Sequence, residues 1–157
     1  MSSAILCGSV SQGIEPIVAN SFIQQTSAGE MVRMNPTFVA LAKEKGKYSE
    51  EMMTDLAQNY SGSVQHLDWL TDHEKQVFKT AYEMDQFVIV RMASNRQRYI
   101  DQGQSLNLFF SADADEEYIA EVHKVAMLDP YIKGLYYLRS ERGVKASKEN
   151  QCLACEG

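Results

Sequence analysis

The chain ends in Gln151-Cys152-Leu153-Ala154-Cys155-Glu156-Gly157, and two adjacent tyrosines, Tyr136 and Tyr137, lie fifteen residues before the first of these cysteines. A dithiol can cycle between two thiols and a disulfide, so a dithiol on a mobile tail can carry electrons. Between Ser140 and Cys152 lie Glu141, Arg142, Lys145, Lys148 and Glu149 with Gly143 and small residues. These offer little to bury, and the segment is expected to stay flexible. Fifteen residues reach ~50 Å when taut and average roughly 20 Å as a random coil. Cys-x-x-Cys is also compatible with half a zinc site or a thioredoxin-type active site. Zinc needs two more ligands, and Cys7, His66, His73 and His123 are not spaced as a second pair. A thioredoxin-type pair opens a helix after a strand, so the terminal position favours a shuttle. For the tyrosines, strand alternation alone would put one ring in a core and the other on a rim.

Composition limits what surrounds these residues. A chain of 157 residues, 45% of them hydrophobic, is long enough for one domain with a real core. Its formal charge of -6 argues against nucleic acid or an anionic membrane as the main partner. The longest apolar run, Phe87-Val88-Ile89-Val90, is too short to span a bilayer. Neither a signal-peptide pattern nor a disulfide framework is visible, which makes the cytoplasm the expected location.

The elements that must position the candidate residues are mostly helical. Pro16 to Thr26 alternates weakly, like a strand. Asn35-Pro36 predicts a helix start, with Phe38, Leu41 and Ala42 on one face and an end near Gly46. Ser49 caps a second helix containing Met52, Met53 and Leu56. Thr71 and Glu74 form a capping box, and the helical spacing from Val77 to Met92 predicts one long helix to about Asn95. Ser105 to Phe110 reads as a strand. Asp113 and Glu116 mark another acidic helix start, and the helix, roughly Asp115 to Leu128, buries Ile119, Val122, Val125 and Ala126. Leu135 to Arg139 is a last short strand carrying the tyrosines. Three short strands make a poor closed sheet, so they are expected to need partners from elsewhere.

Five segments in this order carry a resemblance. They are Ala4-Ile5-Leu6-Cys7-Gly8 with Gly13-Ile14-Glu15-Pro16, Gly62-Ser63-Val64-Gln65-His66-Leu67, Arg96-Gln97 through Gln104-Ser105-Leu106-Asn107-Leu108-Phe109, Leu135-Tyr136-Tyr137-Leu138-Arg139, and the cysteine tail. Together they resemble the C-terminal part of the large, catalytic subunit of class I ribonucleotide reductase. The resemblance implies an α/β fold: the helix-rich C-terminal portion of a ten-stranded α/β barrel, incomplete on its own. It divides the chain into a barrel segment, residues 1–140, and a flexible redox tail, residues 141–157.

The resemblance also implies an activity, the reduction of ribonucleotides to deoxyribonucleotides by radical chemistry. Tyr136 and Tyr137 resemble the stacked pair that passes a radical from the small subunit to a thiyl-forming cysteine, and Cys152 and Cys155 the dithiol reduced by thioredoxin or glutaredoxin. Tyrosine suits a relay because its O–H gives up an electron and a proton together and its hydrogen-bonding tip can hand the proton on. Ser2, Ser3 and the Ala4 amide resemble part of a diphosphate loop, where hydroxyl and N–H donors face the anion. The thiyl cysteine, its partner dithiol and the assisting carboxylate and amide belong upstream of this region. The expected partners are therefore an N-terminal part of the large subunit, the radical-generating small subunit, the reductant and a ribonucleoside diphosphate. No metal or cofactor is expected on this chain; the radical cofactor belongs to the small subunit. Met1 stands where the family has an alanine within the loop, which leads to the expectation of a split-gene product. A stand-alone thiol redox or binding module and a non-functional remnant are the alternatives; intact tyrosines and an intact dithiol weigh against the second. His123 reads as structural and Cys7 as a buried inert thiol.

Overall fold

The computed structural model describes residues 14–26 and 29–140, which divide between Ala81 and Tyr82 into two units. The first unit opens with strands β1 (Ser21–Thr26) and β2 (Gly29–Met34), an antiparallel pair with Ser21 opposite Met34 and Gln24 opposite Met31. Helices α1 (Pro36–Glu44), α2 (Glu50–Asn59) and the short α3 (Asp72–Val77) follow. Each helix starts where its cap requires. The Asn35 side chain accepts from Thr37 N, Ser49 from Met52 N, and Thr71 and Glu74 complete the reciprocal capping box. Phe38, Met53, Leu56, Val64, Leu70 and Phe78 form the core. Phe38 meets Phe78 edge-on at 5.3 Å and stacks on Trp69 at 6.0 Å. Lys45 Nζ lies 2.6 Å from Glu74 Oε2. The hydrogen bond from Lys45, assisted by those from Thr71, lowers the Glu74 carboxyl to about 2.

A fully buried asparagine ties this unit together. Asn20 Nδ2 donates to Phe78 O at 2.8 Å and to Gly62 O at 3.3 Å, its Oδ1 accepts from Asn35 Nδ2, its N donates to Gly62 O, and its O accepts from Asn35 N. The expected single helix from Thr71 to Asn95 is broken for the same reason. In a continuous helix Phe78 O and Ala81 N would bond four residues on and four residues back. Here Asn20 occupies Phe78 O, and Ala81 N donates to Ile17 O at 2.8 Å. The chain passes through a 3₁₀ turn, Ala81–Glu83, and restarts as α4 (Gln86–Gln97), capped by Asp85. These bonds also shorten the first strand. The expected span from Pro16 begins only at Ser21, because Ile17 and Asn20 bond outside any sheet.

The second unit is a β-α-β arrangement preceded by α4. Strand β3 (Leu106–Phe110), helix α5 (Glu116–Leu128) and strand β4 (Leu135–Ser140) follow, and β3 and β4 pair in parallel. Strand β3 is buried on both faces: Leu108 and Phe110 pack with Val90, Val122 and Ala126, Leu106 with Ile89 and Ala93, and Phe109 meets Tyr82 edge-on at 5.5 Å. Gln86 Oε1 accepts from Phe109 N at 3.0 Å, which fixes β3 against the start of α4. On α5 the cap is Asp115 rather than Asp113, and Val122 and Ala126 are buried as expected, but Val125 is 43% exposed. The described strands number four, β2 being one the sequence reading missed. They form two separate two-stranded sheets, incomplete as expected. Among the described residues no helix is long and apolar enough to cross a membrane.

Gly62 gives a test of the first unit. Its φ is +77°, and a Cβ there would collide with Ala19 Cβ and stand 2.6 Å from Ser21 O. Gly62→Ala adds a left-handed backbone cost to local overpacking, together roughly 2–5 kcal/mol. A chemical denaturation midpoint unchanged from the parent would contradict this packing.

Candidate functional site

The tyrosine pair sits on β4, and the register of that strand explains its geometry. Leu106 pairs with Leu135 and Leu108 with Leu138, so two steps along β3 match three along β4. The extra residue is a β-bulge, and it falls at Tyr136-Tyr137, across from Asn107. In a regular strand consecutive side chains point to opposite faces. With the bulge, the two rings lie together, centroids 4.1 Å apart and planes tilted by 55°. The expectation from alternation, one ring in the core and one on the rim, therefore fails: Tyr136 is 60% and Tyr137 50% exposed. Regular pairing resumes with Phe109 opposite Arg139 and Phe110 opposite Ser140.

The two phenols interact directly. The hydrogen bond between the Tyr136 and Tyr137 side chains, with the charge of the second phenol and slight desolvation, pushes the Tyr136 phenol above its ordinary value. The Arg139 guanidinium lies over the Tyr137 ring, 5.1 Å from its centroid.

The loop before β4 is held from several sides, which sets where the bulge falls. Asp129, the C-cap of α5, donates its N–H to Val125 O, and its Oδ1 accepts from Tyr131 N at 2.8 Å, Ile132 N at 3.2 Å and Ser94 Oγ at 2.9 Å. Partial desolvation raises the Asp129 carboxyl, but the hydrogen bonds from Tyr131, Ser94 and Ile132 and the Arg98 charge outweigh it and hold the group below its ordinary value. Arg98 also stacks over the Tyr131 ring at 4.4 Å, and Lys133 Nζ donates to the carbonyls of Ile100 and Asp101. Those carbonyls belong to a loop that Gln97 and Gln104 cross-link: Gln97 Nε2 donates to Ile100 O and Gln102 O, and Gln104 Nε2 to Ala93 O and Gln97 Oε1. The segments leading into β3 and into β4 are thus both held where Leu135 meets Leu106.

The other predicted site residues, Ser2, Ser3, Ala4, Cys152 and Cys155, lie outside the described residues, as does Cys7. His123 packs as a structural residue: its Nδ1 is 2.7 Å from Ile119 O and its ring stacks on Phe110. Sequence reasoning missed Asp129 and Arg139. The signal for Arg139 was its spacing, two residues beyond Tyr137 on a strand; Asp129 before Pro130 was read only as part of a helix stop.

A family model described as ribonucleotide reductase, barrel domain, matches residues 1–138. A ribonucleoside-diphosphate reductase large subunit of Invertebrate iridescent virus 3 is 37% identical over 169 residues, covering 99% of this chain and 27% of that protein. The large subunit of Danio rerio is 34% identical over 133 residues, covering 84% of this chain and 16% of that protein. In structure, the chain is similar to the Actinobacillus ureae class Id ribonucleotide reductase alpha subunit, with a TM-score of 0.74, 36% identity, and coverage of 88% of this chain and 24% of that one. The chain belongs to the ribonucleotide reductase barrel-domain family. It spans less than a third of the length of each of these relatives.

The hydrogen-bonded phenols give a spectroscopic test. Site-resolved NMR of labelled tyrosine should show Tyr136 ionising above the ordinary value of 10.0. Replacing its partner in Tyr137→Phe should bring that titration back down, because the side-chain hydrogen bond and the second charge go together. A Tyr136 titration unaffected by the substitution would show that the phenols do not interact.

Proposed function

We propose that this chain is a working part of a ribonucleoside-diphosphate reductase, supplying the tyrosine radical relay, the shuttle dithiol and part of the phosphate-binding loop. The observation that carries this reading is the bulge that brings two adjacent tyrosine rings to 4.1 Å in a family-matched barrel segment. A small subunit supplies the one-electron oxidant. Each relay tyrosine is oxidised by losing one electron and its phenolic proton and is restored when both return, so two short hops replace one long transfer. The pair passes the oxidation toward a thiyl-forming cysteine on the N-terminal part of the large subunit. Ser2, Ser3 and the Ala4 amide contribute donors to the substrate diphosphate. The chain alone is inactive in this reading, binds no metal or cofactor itself, and works in the cytoplasm.

Residues 1–140 form the barrel segment and residues 141–157 the tail. Each substrate reduction converts the active-site dithiol to a disulfide. A thiolate of Cys152 or Cys155 attacks that disulfide and frees one active-site thiol, and the second tail thiol then attacks the tail sulfur of the mixed disulfide and frees the other. Two electrons and two protons pass to the active site, and the tail is left as Cys152–Cys155 disulfide. Thioredoxin or glutaredoxin, which is too large to enter a barrel, reduces the tail outside.

Two sets of variants test this reading in the assembled enzyme. Tyr136→Phe and Tyr137→Phe each remove one O–H and keep the ring, so stability should change by no more than about 1.5 kcal/mol while turnover falls to background. Wild-type turnover in a correctly assembled variant would remove that tyrosine from the relay. Cys152→Ser or Cys155→Ser should allow about one round of reduction in a pre-reduced complex and then stall with a protein reductant. A small dithiol should partly restore turnover. Sustained turnover of the double variant with the protein reductant would rule out the tail as carrier.

A further inference from the structure

The two tyrosines are the same residue type, yet their surroundings differ. Arg139 follows Tyr137 by two positions beyond the bulge, and its guanidinium stands over the Tyr137 ring at 5.1 Å from the centroid. Among the described residues the other cations set over rings are Lys43 over Tyr48 and Arg98 over Tyr131. The arginine contact therefore falls on one member of the pair, Tyr137, while among the described residues the Tyr136 ring meets only the tilted ring of its neighbour.

We propose that Arg139 biases the tyrosine pair by holding the radical on Tyr136 in preference to Tyr137, an inference that rests on the relay reading above. A cation over an aromatic face is attracted by the electron density of the ring. A neutral tyrosyl radical has less of that density than the phenol it came from, so the contact favours the reduced form of Tyr137 and makes its oxidation harder. The exchange between the two is a hydrogen-atom transfer: Tyr136–O• and HO–Tyr137 become Tyr136–OH and •O–Tyr137. One electron and one proton leave Tyr137 as its O–H bond breaks and that of Tyr136 forms. No oxidant is consumed in the exchange; the first radical comes from the one-electron oxidant of the small subunit. The guanidinium suits the role because it stays charged at all working pH values and stacks flat on an aromatic face. At an exposed site, an attraction of the usual size alters the balance between the two radicals about two- to fivefold. Arg139 acts through Tyr137 and takes no part in the transfer itself.

The experiment uses the assembled reductase with 3-aminotyrosine, a radical trap, in place of Tyr136 or Tyr137, each combined with Arg139, Arg139→Lys or Arg139→Gln. After mixing with the small subunit and a ribonucleoside diphosphate, the yield of trapped radical at each position is read by electron paramagnetic resonance. Arg139→Gln should raise the ratio of the yield at 137 to the yield at 136 about two- to fivefold, and Arg139→Lys, which keeps the charge, should shift it less. Arg139 is exposed, so neither substitution opens a cavity. An unchanged ratio, or equal loss at both positions as a purely structural defect would give, overturns the assignment to Arg139 and leaves the relay standing. No trapped radical at either position with Arg139 intact, in an enzyme whose unmodified form turns over, overturns the relay and this inference with it.

Discussion

A β-strand cannot bring the side chains of neighbouring residues together while its pleat is regular, because successive side chains leave on opposite faces. The second unit depends on the one place where that alternation is suspended. Between Leu135 and Leu138, β4 has one residue more than β3 between Leu106 and Leu108, and the surplus is accommodated where the tyrosines are. Bulges are uncommon between parallel strands. This one is held because both flanks are fixed. Upstream, the Asp129 carboxylate and Lys133 anchor the approach to Leu135; alongside, Gln86 and the packing of Leu106, Leu108 and Phe110 leave β3 no freedom to slip. A slip of one residue would turn buried leucines outward, so the core of the unit and the geometry of the pair are set by the same register.

The first unit is organised by a different means. Its central polar residue, Asn20, is fully buried and joins β1's approach, Gly62, Asn35 and the end of α3 through side chain and backbone together. Leaving such a group unsatisfied inside a core costs about 1–3 kcal/mol, so all these segments must converge at once. The close approach at Gly62 follows from the same convergence, since its carbonyl accepts from Asn20 while its Cα faces Ala19 and Ser21 with no room for a side chain.

The parts of the fold that were legible in the sequence are those fixed by near neighbours. Asn35-Pro36, Ser49 and the Thr71–Glu74 box announce their helices because a cap is made within three residues. The strands around Leu106 and Leu135 announce themselves by leucine and aromatic runs between breakers. What could not be read depends on distant partners. The break after Val77 is imposed by Asn20 and Ile17, about sixty residues away in sequence. Strand β2, Gly29–Met34, is mostly exposed and mixes charged with apolar residues, so its pattern is plain only beside β1. The bulge is a property of two strands, and no single-strand pattern encodes it. For the site, the tyrosines and their expected pairing were evident from the dipeptide and the family resemblance, while the bulge that brings the rings together and the arginine over one ring needed the strand register.

The parallel pairing of β3 and β4 also orders events in time. A parallel neighbour cannot be reached by a tight turn, so the two strands meet only after α5 has crossed over and docked through Val122 and Ala126. Until that crossover closes there is no β3 for β4 to be out of step with, hence no bulge and no paired rings. The bulge that brings the two rings together is therefore a product of the completed crossover, not of β4 alone.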